Sequence, residues 1–163
     1  MGPTFEPLKH SDLPVVKEIY DWYIKHSTST FHTNPITTEQ LLEFIYIDHQ
    51  LYKSYLILYD KDVAGYCLLT SHKKRPAYDR TAEVTVYLRQ GFPGKGIGKA
   101  ALYHLENDAR RLGVMNLVGG ITGDNYDSIK LFQRCGYTKC AHFKNVGEKF
   151  GKVLDVVYFQ KEL

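Results

Sequence analysis

Cysteine is scarce in these 163 residues, and its count is odd: Cys67, Cys135 and Cys140, with no Cys-x-x-Cys. That excludes a fully paired disulfide framework and predicts reduced, structural thiols in a cytoplasmic protein. The seven histidines show no metal-ligand spacing, so no metal is expected. No apolar run is long enough to cross a membrane, and no stretch of signal-peptide type opens the sequence. A membrane partner is therefore not expected. The net charge is only +3 and no basic block accompanies it, which argues against nucleic acid. Internal repeats, low-complexity tracts and linkers are also lacking. What remains is one domain over residues 1–163, 44% hydrophobic and 24% charged, of ordinary globular composition.

The apolar pattern predicts ααββ(β)αβαββ. Ser11-Asp12 caps a first helix to about Lys25, with Leu13, Val16, Ile19, Tyr20 and Tyr23 as its stripe. Thr37 to Gln40 has capping-box spacing and opens a second helix carrying Leu41, Leu42 and Ile45. Ser54–Tyr59 and Val63–Thr70 read as a hairpin turning at Asp60-Lys61-Asp62. Thr81 to Arg89 alternates, with Ala82, Val84, Val86 and Leu88 on one face and Glu83, Thr85 and Tyr87 on the other. Ile97 to Leu112 is a helix ended by Gly113, and Met115–Ile121 a buried strand. Asp124-Asn125 caps a last helix that stops at Gly136. Tyr137–Phe143 and Val153–Gln160 finish as strands. The fold class is α/β, a mixed and mostly antiparallel central sheet with helices on both faces.

The segment Gly91-Phe92-Pro93-Gly94-Lys95-Gly96-Ile97-Gly98-Lys99 joins a strand to a helix. Such a loop exposes backbone N–H groups, and the helix N-terminus adds about half a positive charge. Phosphate is the natural occupant, although a glycine-rich turn that only caps a helix has the same look. A Walker A loop is excluded, because Ile97 stands where lysine is required. A dinucleotide fingerprint is excluded, because Lys99 stands at the third glycine.

Val86-Tyr87-Leu88 followed by Gly94 to Lys99 resembles the acetyl-CoA signature of the GNAT N-acetyltransferases. Asn125-x-x-Ser128 and Leu131-Phe132-x-x-x-Gly136-Tyr137 resemble that fold's next block. Three further stretches resemble the phosphinothricin and methionine sulfone (sulfoximine) acetyltransferase subgroup. They are His26 to Phe31, Arg75 to Glu83, and Gly147-Glu148-Lys149-Phe150-Gly151-Lys152-x-x-Asp155. The resemblance covers about His10 to the C-terminus and implies a GNAT fold over the whole chain.

It implies that Gly94, Lys95, Gly96, Ile97, Gly98 and Lys99 hold the coenzyme's pyrophosphate, with Arg134 on a phosphate. Val86, Tyr87 and Leu88 would pair with the pantetheine arm as an added strand does. Asn125 and Ser128 complete the cofactor set. A splay in the sheet there would let a backbone N–H hold the thioester oxygen. Glu83 is implied as the base. A free α-amino group has a pKa of roughly 7.7–8.0, so its proton must be removed before attack. Phe31, Lys73, Arg75, Tyr78, Glu83, Val84 and Thr85 would form the substrate pocket, the basic loop gripping the carboxylate of a small amino acid or analogue. The implied reaction is direct transfer from acetyl-CoA in a ternary complex, in a homodimer. The alternatives are acetylation of protein or peptide N-termini, and a non-catalytic coenzyme A sensor.

Three departures stand out. Phe132 occupies the position where many GNAT enzymes place a tyrosine to protonate the leaving thiolate. A thiol pKa near ~8.5 lets the thiolate leave unaided, with Tyr126 or Tyr87 as stand-ins. Phe150 replaces the histidine of the phosphinothricin enzymes and points to the methionine sulfone side. Pro93 occupies the usual Arg/Gln position of the loop and gives up a donor.

Overall fold

The computed structural model describes residues 1–163. The expected elements form, with three changes. A strand missing from the expectation, β1 (Thr4–Pro7), precedes α1 (Leu13–His26). α2 (Thr38–Leu41) is a single turn, although its capping box closes as expected. Thr37 Oγ1 accepts from Gln40 N–H at 3.1 Å, and Gln40 Oε1 accepts from Thr37 N–H at 2.8 Å. The chain then runs β2 (Lys53–Tyr59), β3 (Asp62–Ser71), β4 (Thr81–Leu88), α3 (Ile97–Arg111), β5 (Asn116–Thr122), α4 (Tyr126–Arg134), β6 (Thr138–Lys149) and β7 (Lys152–Glu162). β6 outruns its expected end by six residues, Lys144 to Lys149.

Two hairpins turn on two residues each with positive φ. Asp60 and Lys61 (51° and 71°) join β2 to β3; Phe150 and Gly151 (53° and 71°) join β6 to β7. This left-handed pair matches the twist of the flanking strands.

The sheet order is β1-β2-β3-β4-β5-β7-β6. Every neighbouring pair is antiparallel except β4 with β5. That parallel pair spans only Thr81↔Asn116, Ala82↔Leu117 and Glu83↔Val118. Beyond Glu83 and Val118 the strands part, while β4 stays paired to β3 up to Leu88 and β5 to β7 up to Thr122. The sheet is thus two half-sheets joined over three residues.

Strand alternation decides which side chains meet which helices. Ala82 and Val84 face α3 and α4 and share a core with Leu105, Ala109, Leu117, Phe132 and Phe159. The opposite face carries Leu56, Tyr66 and Leu68 against Val16, Ile19, Tyr20 and Ile24 of α1, with Tyr87 alongside. Glu83 and Thr85 share that second face. Cys67 and Cys135 are buried free thiols, whereas Cys140 is exposed. No helix is long and apolar enough to cross a membrane.

Candidate active site

Three glycines in the left-handed region shape the β4–α3 loop: Gly91, Gly94 and Gly96, with φ of 88°, 85° and 76°. Gly96 is the N-cap of α3, and its carbonyl accepts the first helical bond, from Ala100 at 3.1 Å. The N–H groups of Ile97, Gly98 and Lys99 therefore have no partner within the helix and point outward at its positive end. Ile97 is buried in the core, so only its amide is available to a ligand. Gly98 is buried too. A Cβ there would lie 2.9 Å from Leu131 Cδ2, so glycine lets α4 pack on the first turn of α3. Arg134 follows one turn later on that side of α4 and is exposed. Lys95 Nζ lies 5.6 Å from the Tyr59 ring and 5.5 Å from that of Phe92. Lys99 Nζ lies 5.8 Å from Tyr103. Loop, helix end and cations make a cradle for a phosphate-bearing ligand.

The gap between β4 and β5 continues from this cradle. Arg89 N–H donates to Ala64 O on β3 at 2.7 Å. By strand alternation the backbone groups of Val86 and Leu88 address the other edge, the one β5 has left. The Leu88 carbonyl is already taken by the Tyr23 hydroxyl at 2.5 Å. Tyr23, from α1, was not among the expected site residues. Tyr87 is corrected: its backbone groups turn to Tyr66 on β3 rather than to the open edge, its hydroxyl donates to Ser29 O at 3.2 Å, and burial raises its pKa.

Across the gap, β5 carries two glycines whose faces are used differently. A Cβ on Gly119 would lie 2.2 Å from Phe132 Cε1; a Cβ on Gly120 would lie 3.0 Å from Tyr158 Cε1. Phe132 thus fills the α4 side as core. The Tyr158 ring stands on the Glu83 side, and burial, then the Glu83 charge, raises its pKa.

On that side the gap is partly roofed by the loop after α1. Thr28 Oγ1 donates to Asp124 at 2.8 Å, Thr122 Oγ1 to Thr28 O at 2.7 Å, and Asn125 Nδ2 to Ser29 Oγ at 3.1 Å. Lys149 Nζ donates to Ser27 O at 2.7 Å and Thr30 O at 2.8 Å. Asn125 Oδ1 also accepts from Ser128 N–H at 3.2 Å, so Asn125 caps α4, the Ser128 N–H is taken by that cap, and only one Asn125 amide hydrogen is left for a ligand. Phe31 ends the loop against Gly147, where a Cβ would lie 2.3 Å from the ring.

Glu83 sits at the last paired position before the gap, between Thr70 of β3 and Val118 of β5. Its Oε2 lies 2.9 Å from His72 Nδ1. The His72 ring meets Tyr78 edge-on at 5.8 Å, and the Arg75 guanidinium carbon lies 5.5 Å from the Tyr78 ring. Glu83, Tyr78 and Arg75 are thus brought together through His72, which sequence reading missed. Lys73 and Lys74 are exposed. Val84 is corrected: its side chain is buried on the opposite face and lines no pocket with Glu83, whereas Thr85 does share Glu83's face. A cleft of about 460 Å³ lies against Tyr46, Tyr52, Lys74 and Asp79, and neither Glu83 nor His72 lines it.

The chain matches the model of the Acetyltransferase (GNAT) family over residues 16–137. It is 31% identical to the L-methionine sulfoximine/L-methionine sulfone acetyltransferase of Salmonella typhimurium, over 94% of this chain and 90% of that one. A phosphinothricin acetyltransferase from Sinorhizobium meliloti in complex with AcCoA superposes with a TM-score of 0.93 at 30% identity, covering 100% of this chain and 89% of the other. Ribosomal-protein-alanine N-acetyltransferase from Brucella melitensis superposes with a TM-score of 0.86 at 27% identity, covering 98% and 99%. Parted strands, an amide cradle and a carboxylate between them agree with these matches, and the chain belongs to the GNAT family of acetyltransferases.

Proposed function

We propose that this chain moves the acetyl group of acetyl-CoA to the amine of a small amino acid or analogue of the methionine sulfone, methionine sulfoximine or phosphinothricin type. Transfer is direct, in a ternary complex. The observation that carries the reading is Glu83 at the mouth of the β4–β5 gap, contiguous through His72 and Tyr78 with Arg75. The amides of Gly94 to Lys99 bind the diphosphate, with Arg134 close by. The open edge of β4 pairs with the pantetheine arm and aligns the thioester along Val86 to Leu88. Arg75 holds the substrate carboxylate, Phe31 walls the pocket, and Glu83 accepts the ammonium proton so that a neutral amine attacks. With Phe132 a core residue, no phenol stands in its place to protonate the thiolate, which leaves unaided at a thiol pKa near ~8.5. Phe150 favours the sulfone and sulfoximine over phosphinothricin.

The test is calorimetric titration with acetyl-CoA, followed by thiol release with methionine sulfone, methionine sulfoximine and phosphinothricin. Binding with release, fastest for the first two, supports the reading. Binding without release from any amine makes the chain a coenzyme A sensor. Release only with peptide N-termini supports the second reading, which the likeness to the Brucella enzyme favours and the basic loop opposes. We further propose a cytoplasmic homodimer joined through the β6–β7 hairpin, whose Phe143, Val146, Phe150 and Val153 are exposed. Sedimentation should give a dimer; a monomer at all concentrations rejects that part.

A further inference from the structure

Two polar groups meet at the mouth of the gap, and one of them has no role in the scheme above. His72 follows the last residue of β3 and opens the Lys73–Arg80 loop. Its Nδ1 lies 2.9 Å from Glu83 Oε2, and the two side chains are 23% and 32% exposed. Neither is a freely solvated surface charge. The geometry points to His72 as a positioning residue for Glu83: it fixes one carboxylate oxygen, leaves the other facing the amine, and ties the base to the loop that carries Arg75 and Tyr78. This rests on the reading of Glu83 as the base.

The physical need is orientation. An untethered glutamate has three rotatable bonds and loses side-chain freedom when fixed. A base must sit within hydrogen-bond reach of the proton it takes, and a misplacement of about 1 Å costs on the order of 10²-fold. An ionised carboxylate only accepts, so the contact requires a proton on His72 Nδ1. The edge-on Tyr78 ring limits rotation of the imidazole, and Arg75 lies over that same Tyr78 ring. A substrate carboxylate held by Arg75 is then registered to the base through two rings and one hydrogen bond.

Two variants separate the donor from the ring. His72→Phe keeps a ring against Tyr78 and removes the donor; His72→Asn keeps a donor near Nδ1 and removes the ring. The expectation is a kcat lower by roughly 10–100-fold for His72→Phe, with the KM for acetyl-CoA within about twofold, and recovery of most of that loss in His72→Asn. Imidazole ¹H–¹⁵N correlation spectra, read where the ring is neutral, should show the Nδ1-protonated tautomer in the unaltered protein. The spectra need no acceptor amine. Failure of the acetyl-transfer reading would appear as absent turnover in the unaltered protein. A bare Nδ1, equal kcat in all three proteins, or no recovery in His72→Asn would overturn the positioning role.

Discussion

Glu83 is the one carboxylate among the β4 residues on its face, and its place at the end of the parallel pairing is what gives it access. Replacing it by glutamine preserves size and one acceptor oxygen but cannot take a proton. Turnover should fall by roughly 10²–10⁴ while acetyl-CoA binding by calorimetry stays within about threefold; normal turnover would remove Glu83 as the base. Arg75 makes a different prediction. Losing a charge-assisted contact costs about 1.5–3 kcal/mol, so Arg75→Gln should raise the KM for carboxylate-bearing amines by roughly 10–100-fold. Amines without a carboxylate should be little affected, and equal effects on both would take Arg75 out of the pocket. Glu83, Arg75 and Tyr78 were singled out by the resemblance of Arg75 to Glu83 to the acetyltransferase subgroup, and the structure brings the three near one another around His72. His72 was not, because its partner lies eleven residues on, across a strand return that only the β3–β4 register creates. Val84 erred for the opposite reason: the sequence neighbour of a functional residue in a strand points to the other face.

At the scale of elements, the loop after α1 and the tip of the β6–β7 hairpin hold each other in place through one buried lysine. Lys149 is 4% exposed, its two bonds go to the Ser27 and Thr30 carbonyls, and desolvation lowers its pKa. Lys149→Met should destabilise by about 1–3 kcal/mol, since two carbonyls lose their donor. Phe31, seated on Gly147 of the same hairpin, should then lose its fixed position, so the KM for the amine rises more than that for acetyl-CoA. A thermal shift with unchanged KM values would confine Lys149 to stability. No local signal in the sequence announces a bond between residues 119 apart. β1 was illegible because Thr4-Phe5-Glu6-Pro7 is short, barely apolar, and ends in proline. It is an edge strand made by pairing with β2. The second half of β6 was hidden likewise: Lys144 to Lys149 is polar and interrupted by Gly147, and the register slips between Phe143 and Gly147. There Asp155 accepts from Asn145 N–H and pairs with His142 Nε2, both at 2.8 Å, which ties the irregular stretch to β7. The strands, helices and glycine loop that do carry strong periodicity or caps were all read correctly in kind.

The whole molecule poses a mechanical problem: a sheet opened down its middle must not come apart. Three parallel pairs join the halves, so the remaining cohesion comes from elements that cross the seam. α3 packs on β3 and β4 of the first half. Its Glu106 reaches the second half, where Lys161 of β7 donates to Glu106 Oε2 at 2.7 Å and to Cys135 O of the α4 terminus at 2.9 Å. Arg110 donates to the other Glu106 oxygen at 2.9 Å. Burial alone pushes the Glu106 carboxyl up, but the hydrogen bonds and charges of Lys161 and Arg110 outweigh it and hold the carboxyl below its ordinary value of 4.5. A carboxyl depressed in the folded state adds stability that is present above the unfolded value and fades as pH falls through 4.5 toward the folded one. Glu106→Gln keeps the shape and loses the charge, leaving Lys161 partly buried without its counter-ion. At pH 7 it should cost about 1–3 kcal/mol, a drop of roughly 2–12 °C in Tm for a chain of this size. As the pH is lowered below 4.5, protonation of Glu106 makes the two proteins alike, so the gap between their melting temperatures should close. A gap that stays constant from pH 7 to pH 3 would mean that the carboxylate's charge does not hold the seam.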